Sequence, residues 1–302
     1  MNEYLWGVDL GGTKIECILI HKQTNEILIR KRIDTEAQFG YTHILSQIKK
    51  LILLIESETK IHPKAIGFST PGTLDPGTQT MKNCNTVCMN GQAMKKDLEK
   101  LLKVKIEMAN DANCFALAEA TMGAAKNLNA EVVFGVIMGT GVGGGVVVNG
   151  KVIGGKHGIG GEWGHIVLDV EGEDCYCGKK GCNEKVFAGP ALEKYYQSLS
   201  GKAMKLKEIY ANHLNGTDPL ATSTIEHLLT SFARAISSII NVLDPDIIVL
   251  GGGVSNIELL YTEGVKRIEN YIFNNRKVET VFLKPLLGDS AGVFGAAELV
   301  RN

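Results

Sequence analysis

Residues 4–20 read YLWGVDLGGTKIECILI, two short apolar runs at 4–9 and 15–20 separated by LeuGlyGlyThrLys. Their apolar residues run together instead of recurring at helical intervals, so the pattern predicts two strands joined by a glycine turn. The same grammar returns at 132–148, VVFGVIMGTGVGGGVVV, which predicts a buried strand at 132–138, a glycine hairpin and a further strand at 146–148. Each half therefore opens on strands around a glycine turn and later alternates helix with strand. That order predicts a bilobal α/β body with a cleft between its lobes, where ligands usually sit.

Working outward, residues 26–31 supply a third strand and an antiparallel opening. Ile44, Ile48, Leu51, Ile52 and Ile55 fall at spacings of three and four within 41–58, the stripe of an amphipathic helix. Strands are expected at 65–69 and 105–109 and a short helix at 92–102. Asn110 and Asp111 then close the strand and open a helix through Ala118 and Met122, in keeping with N-cap chemistry. The first domain is placed at 1–112 and the second at 113–289. Within the second, helices are expected at 190–196, 204–213 and 220–241, and a continuous apolar strand at 247–250 precedes Gly251, Gly252 and Gly253. The small residues of 291–299 predict a closing helix packed tightly against another element.

Residues 158–184, GIGGEWGHIVLDVEGEDCYCGKKGCNE, form a module of their own. His165, Cys175, Cys177 and Cys182 supply four soft-to-borderline donors, the number that a closed tetrahedral zinc site takes, with no position left open for water. Cysteines are more often small buried hydrophobes. These lie among glycines and charges with no apolar run around them, which favours a structural Zn2+.

The 302 residues carry a formal net charge of -1, which argues against a nucleic-acid partner, since a phosphate backbone demands a basic face. Seven cysteines, an odd number with three of them at the metal module, make a disulfide framework improbable and point to a reducing, cytoplasmic setting. No apolar run reaches the length of a membrane span.

Three glycine clusters follow strands. The first, DLGGTK at 9–14, lacks P-loop spacing; it is either an ordinary tight hairpin or an anion nest with Thr13 or Lys14 beside it. Gly139, Gly141 and Gly144 match GxGxxG, yet a β-rich segment follows where a dinucleotide site needs a helix, so a phosphate-cradling hairpin fits better. Gly251–Gly253 could admit a base or ribose by leaving no side chain in the way. Together they favour a nucleoside triphosphate.

The segments VDLGGTK (8–14), ANDANC (109–114), IMGTGVGGGVVVNG (137–150), GEWGH (161–165), CYCGKKGCNE (175–184) and LDPDIIVLGGGVSN (243–256) resemble the ROK group of bacterial sugar kinases and repressors, within the actin-like ATPase superfamily of ribonuclease H-like fold. The resemblance covers almost the whole chain. It implies ATP held by Asp9, Gly11, Gly12, Thr13, Lys14, Gly139, Thr140 and Gly141, its adenosine end near Gly251–Gly253, and Mg2+ held by the phosphates with Asp9 nearby. It implies sugar contacts from Asn90, Asn110, Asp111, Glu162, His165 and Glu184, with Asp111 as catalytic base. It further implies that a C-terminal helix at 290–302 returns to the first lobe, and that the protein forms a homodimer. Repressor members add an N-terminal helix-turn-helix; this chain enters its first strand directly, which favours the kinase arm. KNCNTVCMNGQ at 82–92, with DL at 97–98, looks most like the fructokinase and mannokinase branch, so the expected activity is ATP-dependent phosphorylation of a hexose O6, fructose favoured. The alternatives are an N-acetylglucosamine or N-acetylmannosamine kinase, or a non-catalytic sugar-sensing regulator.

Overall fold

The computed structural model of the chain describes residues 3–275 and 277–301. Strands β1 (Tyr4–Leu10), β2 (Lys14–His21) and β3 (Ile27–Asp34) run antiparallel. Helix α1 (Tyr41–Thr59) lays Ile44, Ile48, Leu51, Ile52 and Ile55 against Trp6, Val8, Leu10, Ile15, Cys17 and Leu19, the core predicted from its periodicity. Fully burying each such aliphatic contributes about 1.5–3 kcal/mol, so this stripe fixes the helix more firmly than its intrinsic propensity does.

Strand β4 (Ala65–Thr70) lies parallel to β1. A two-stranded ribbon, β5 (Thr73–Leu74) with β6 (Met81–Lys82), and helix α2 (Met94–Leu102) lead to β7 (Lys105–Asn110), parallel to β4, which completes the sheet order β3-β2-β1-β4-β7. The next helix, α3 (Asp111–Thr121), is buried from Ala112 through Glu119, so it shows no amphipathic stripe.

The second sheet takes β8 (Val132–Met138), β9 (Val142–Val148) and β10 (Lys151–Val152) from this stretch. Strand β9 begins four residues before the expected 146: its glycines are part of the strand rather than of the turn. Helices α4 (Asn183–Phe187), α5 (Gly189–Ser200), α6 (Leu206–Asn215) and α7 (Pro219–Leu243) follow. Asp218 caps α7, accepting from the N–H groups of Leu220 at 2.8 Å and Ala221 at 3.3 Å. Strand β11 (Ile247–Gly251), helix α8 (Glu263–Ile268) and strand β12 (Val281–Leu283) complete the sheet, ordered β10-β9-β8-β11-β12 with β11 parallel to β8 and β12. The closing helix is α9 (Ala291–Glu298).

Two compact units result. One takes residues up to Lys126, Gly145–Gly160 and those from Leu286 on; the other takes Asn127–Gly144 and Gly161–Pro285. In the first unit, α9 lies on the back of the sheet. A Cβ on Gly67 would stand 1.7 Å from the backbone oxygen of Ala296, and one on Gly7 2.4 Å from that of Val293, so a side chain at either position would push the helix off. Glu119, fully buried on α3, accepts from the N–H groups of Ala124 (2.8 Å), Leu286 (3.0 Å) and Leu287 (2.8 Å), anchoring the approach to α9. No described helix is long and apolar enough to cross a membrane.

Candidate functional site

In the first unit, β1 delivers Asp9 to the mouth of the DLGGTK turn. Its carboxyl is pushed above the ordinary carboxylate range by burial, and the nearby charges of Asp111 and Glu16 act in the same direction. The turn itself is closed by the Gly11 N–H on the Lys14 oxygen at 2.9 Å. It is also clamped from outside: the fully buried Thr35 donates its hydroxyl to the Gly11 oxygen at 2.7 Å and its N–H to the Thr13 oxygen at 2.8 Å. Thr13 and Lys14 are exposed, as is Gly12. Sequence reading passed over Thr35, because its partners lie more than twenty residues away.

Asn110 and Asp111 divide the work at the β7–α3 junction. Asn110 is the N-cap, its Oδ1 accepting from the Asn113 N–H at 2.8 Å. Asp111 occupies the first helical position, exposed, with Oδ1 on the N–H of Ala112 at 2.8 Å. The carboxylate is therefore oriented by a helix start that another residue caps. Asn90 spends its carboxamide locally: Oδ1 accepts from the Cys84 N–H at 2.8 Å and Nδ2 donates to the Cys84 oxygen at 3.2 Å, which closes the 84–90 loop.

In the second unit, the 139–141 turn is held by the Gly139 N–H on the Gly141 oxygen and by the Gly189 N–H on the Gly139 oxygen, both 2.9 Å. Thr140 at its tip is exposed. Glu184, on the first turn of α4, reaches back to this turn. Its Oε2 accepts from the Val142 N–H at 3.2 Å and lies 2.5 Å from where a Cβ on Gly141 would be. Trp163, 2% exposed, anchors the GEWGH segment through Nε1 on the Gly143 oxygen at 2.8 Å, between the rings of Phe134 and Phe187. Asn183 ties α4 to the same segment, donating from Nδ2 to the Trp163 oxygen at 2.7 Å. Glu162 and His165 flank Trp163 on a single 3-10 turn.

The predicted Cys3His set comes together: the donor atoms of His165, Cys175, Cys177 and Cys182 all lie within 4.8 Å of one another. Tetrahedral zinc, with bonds of about 2.3 Å to sulfur and 2.0–2.1 Å to nitrogen, sets its donors roughly 3.5–3.8 Å apart. Cys175 Sγ is 3.5 Å from His165 Nδ1 and Cys177 Sγ is 3.6 Å from Cys182 Sγ, so the residues fit such an ion. Burial, then the neighbouring thiols, pushes Cys182 up to about 12, so filling the site would release protons. His165 Nε2 points out of the cluster to the hydroxyl of Tyr176 at 2.9 Å.

At the end of β11, Gly252 has φ +83°, and a Cβ there would meet the Met138 oxygen at 2.4 Å, so only glycine fits. Gly253 faces open space. The cluster is thus a strand end that turns sharply without presenting a side chain.

The family model described as "ROK family" matches residues 5–302. Over 97% of this chain and 98% of theirs, two curated proteins are 35% identical to it: the N-acetyl-D-glucosamine kinases of Vibrio atlanticus (strain LGP32) and Histophilus somni (strain 129Pt). Among solved structures, the ROK hexokinase of Thermus thermophilus superposes with a TM-score of 0.86 at 29% identity, covering 98% of this chain and 97% of that one. The fold is the actin-like ATPase fold, α/β with mixed sheets.

Proposed function

The chain belongs to the ROK family, and from that premise we propose that it is an ATP-dependent kinase whose substrate is an N-acetylhexosamine, N-acetyl-D-glucosamine before others, phosphorylated at the 6-hydroxyl. The observation that carries the choice of sugar is the 35% identity, over nearly the full length of both chains, to N-acetyl-D-glucosamine kinases. The fructose preference suggested by 82–92 finds no such support. A second reading, a hexokinase acting on unsubstituted hexoses, has the Thermus thermophilus likeness in its favour.

In this reading Glu162, His165 and Glu184, with Asn110, hydrogen-bond the sugar hydroxyls. A buried hydroxyl left unpaired is costly, so such contacts select as well as bind. Asp111 takes the proton of the attacking hydroxyl, a role worth about 10²–10⁴ in rate. Each within its own unit, the clamped turn at 11–14 and the turn at 139–141 would serve as a phosphate-binding loop, and the open Gly253 would leave room for the adenosine end. Asp9 would hold Mg2+ together with the phosphates and water, as suits a hard cation. Bound there, Mg2+ neutralises charge on the transferring phosphoryl group. His165, Cys175, Cys177 and Cys182 would hold Zn2+ in a purely structural role that fixes His165 and the start of α4. An ADP-release assay across N-acetylglucosamine, N-acetylmannosamine, glucose, mannose and fructose tests the proposal. N-acetylglucosamine should give the highest kcat/KM; a tenfold higher value for fructose or glucose would refute it.

A further inference from the structure

We propose that Tyr176 is a sugar-contacting, specificity-determining residue, an inference that rests on the sugar-kinase reading above. Tyr176 stands between two cluster thiols, Cys175 and Cys177, so the backbone on both sides is pinned while the side chain is thrown outward. Its residue surface is 71% exposed, so packing does not account for the ring. Yet its hydroxyl is not adrift: it lies 2.9 Å from His165 Nε2, with the two rings edge to face at 5.0 Å.

The orientation of His165 decides what that contact does. Nδ1 faces the thiols, 3.5 Å from Cys175 Sγ, so Nδ1 is the nitrogen turned to the cluster and Nε2 the one turned to Tyr176. Nε2 and the Tyr176 hydroxyl share one hydrogen bond, and a phenol oxygen so bonded still has capacity for a second partner. Glu162 and Glu184 are the acidic groups that bear on it, and Glu184 is already fixed by the Val142 N–H. A polyhydroxyl ligand that reaches His165 therefore meets the Tyr176 hydroxyl at the same ring nitrogen. The phenol hydrogen-bonds a sugar oxygen and, through its bond to Nε2, holds the imidazole in register.

The test is Tyr176→Phe, which keeps the ring and deletes the hydroxyl, assayed with full-length enzyme against N-acetylglucosamine and ATP, with zinc content measured on the same preparation. Losing one neutral hydrogen bond at the sugar raises its KM about five- to tenfold, with a smaller change in kcat. The ATP KM and the zinc content should stay within about twofold of wild type. A sugar KM within twofold of wild type overturns the proposal, as does a loss of sugar affinity that tracks a loss of zinc, since that would make Tyr176 a prop for the cluster. A wild-type enzyme inactive on every sugar of the panel overturns the parent reading and this one with it.

Discussion

Glu184 Oε2 accepts the Val142 N–H at 3.2 Å, so a carboxylate on the helix that follows the Cys3His cluster is seated directly on the turn at 139–141. One residue thereby serves the expected sugar contacts and the expected phosphate loop. Glu184→Ala should raise the KM for sugar at least tenfold and the KM for ATP several-fold. Glu184→Gln, whose amide oxygen can still accept from Val142, should raise the sugar KM alone. Steady-state kinetics with each substrate varied will show whether the two variants separate in this way.

Asp111→Asn should lower kcat by about 10²–10⁴ while sugar KM moves only a few-fold. Because Asn110 and not Asp111 caps α3, and because an amide oxygen can keep the bond to Ala112, the melting temperature should hold. The loss of a negative charge from the first turn costs at most about 0.3–1 kcal/mol. Near-normal kcat in this variant would remove Asp111 from the mechanism.

Cys177 is the exposed member of its cluster, so its replacement by serine perturbs little packing. Cys177→Ser should lower bound zinc, raise the sugar KM through His165 and Glu184, and reduce thermal stability; elemental analysis reads the first of these directly. Zinc at wild-type level would count against this donor set.

The acid limb of stability should report on Glu16. Burial pushes its carboxyl upward, but the Arg30 and Arg32 side chains together hold it below its ordinary 4.5. The unfolded chain then binds more protons than the folded one in that window, so the contribution is complete above about pH 4.5 and is lost as pH falls through the lower, folded value. Thermal melts between pH 3 and 7 should show a falling limb below that point, and Glu16→Gln should flatten it.

How much of this was legible depends on how far apart the interacting residues lie in the chain. The spacing of Ile44, Ile48, Leu51, Ile52 and Ile55 gave α1 directly, and four donors within eighteen residues gave the cluster. By contrast α4, α8 and β12, of five, six and three residues, are too short to show a period. The seat of Glu184 on Val142 spans 42 positions and the clamp of Thr35 on Gly11 spans 24, and no local pattern announces either. Asn90 carries a role that its motif did not announce: the loop around it uses the carboxamide to close itself.

The bare glycines that β1 and β4 turn toward α9 carry a consequence for synthesis. A ribosome makes those strands early and α9 late, so during most of translation the glycine positions of β1 and β4 lack the helix that packs on them. Domains as a rule fold in order of emergence; this unit waits for residues 291–298. Stalled nascent chains lacking α9 should be cut rapidly by protease where chains that include it resist.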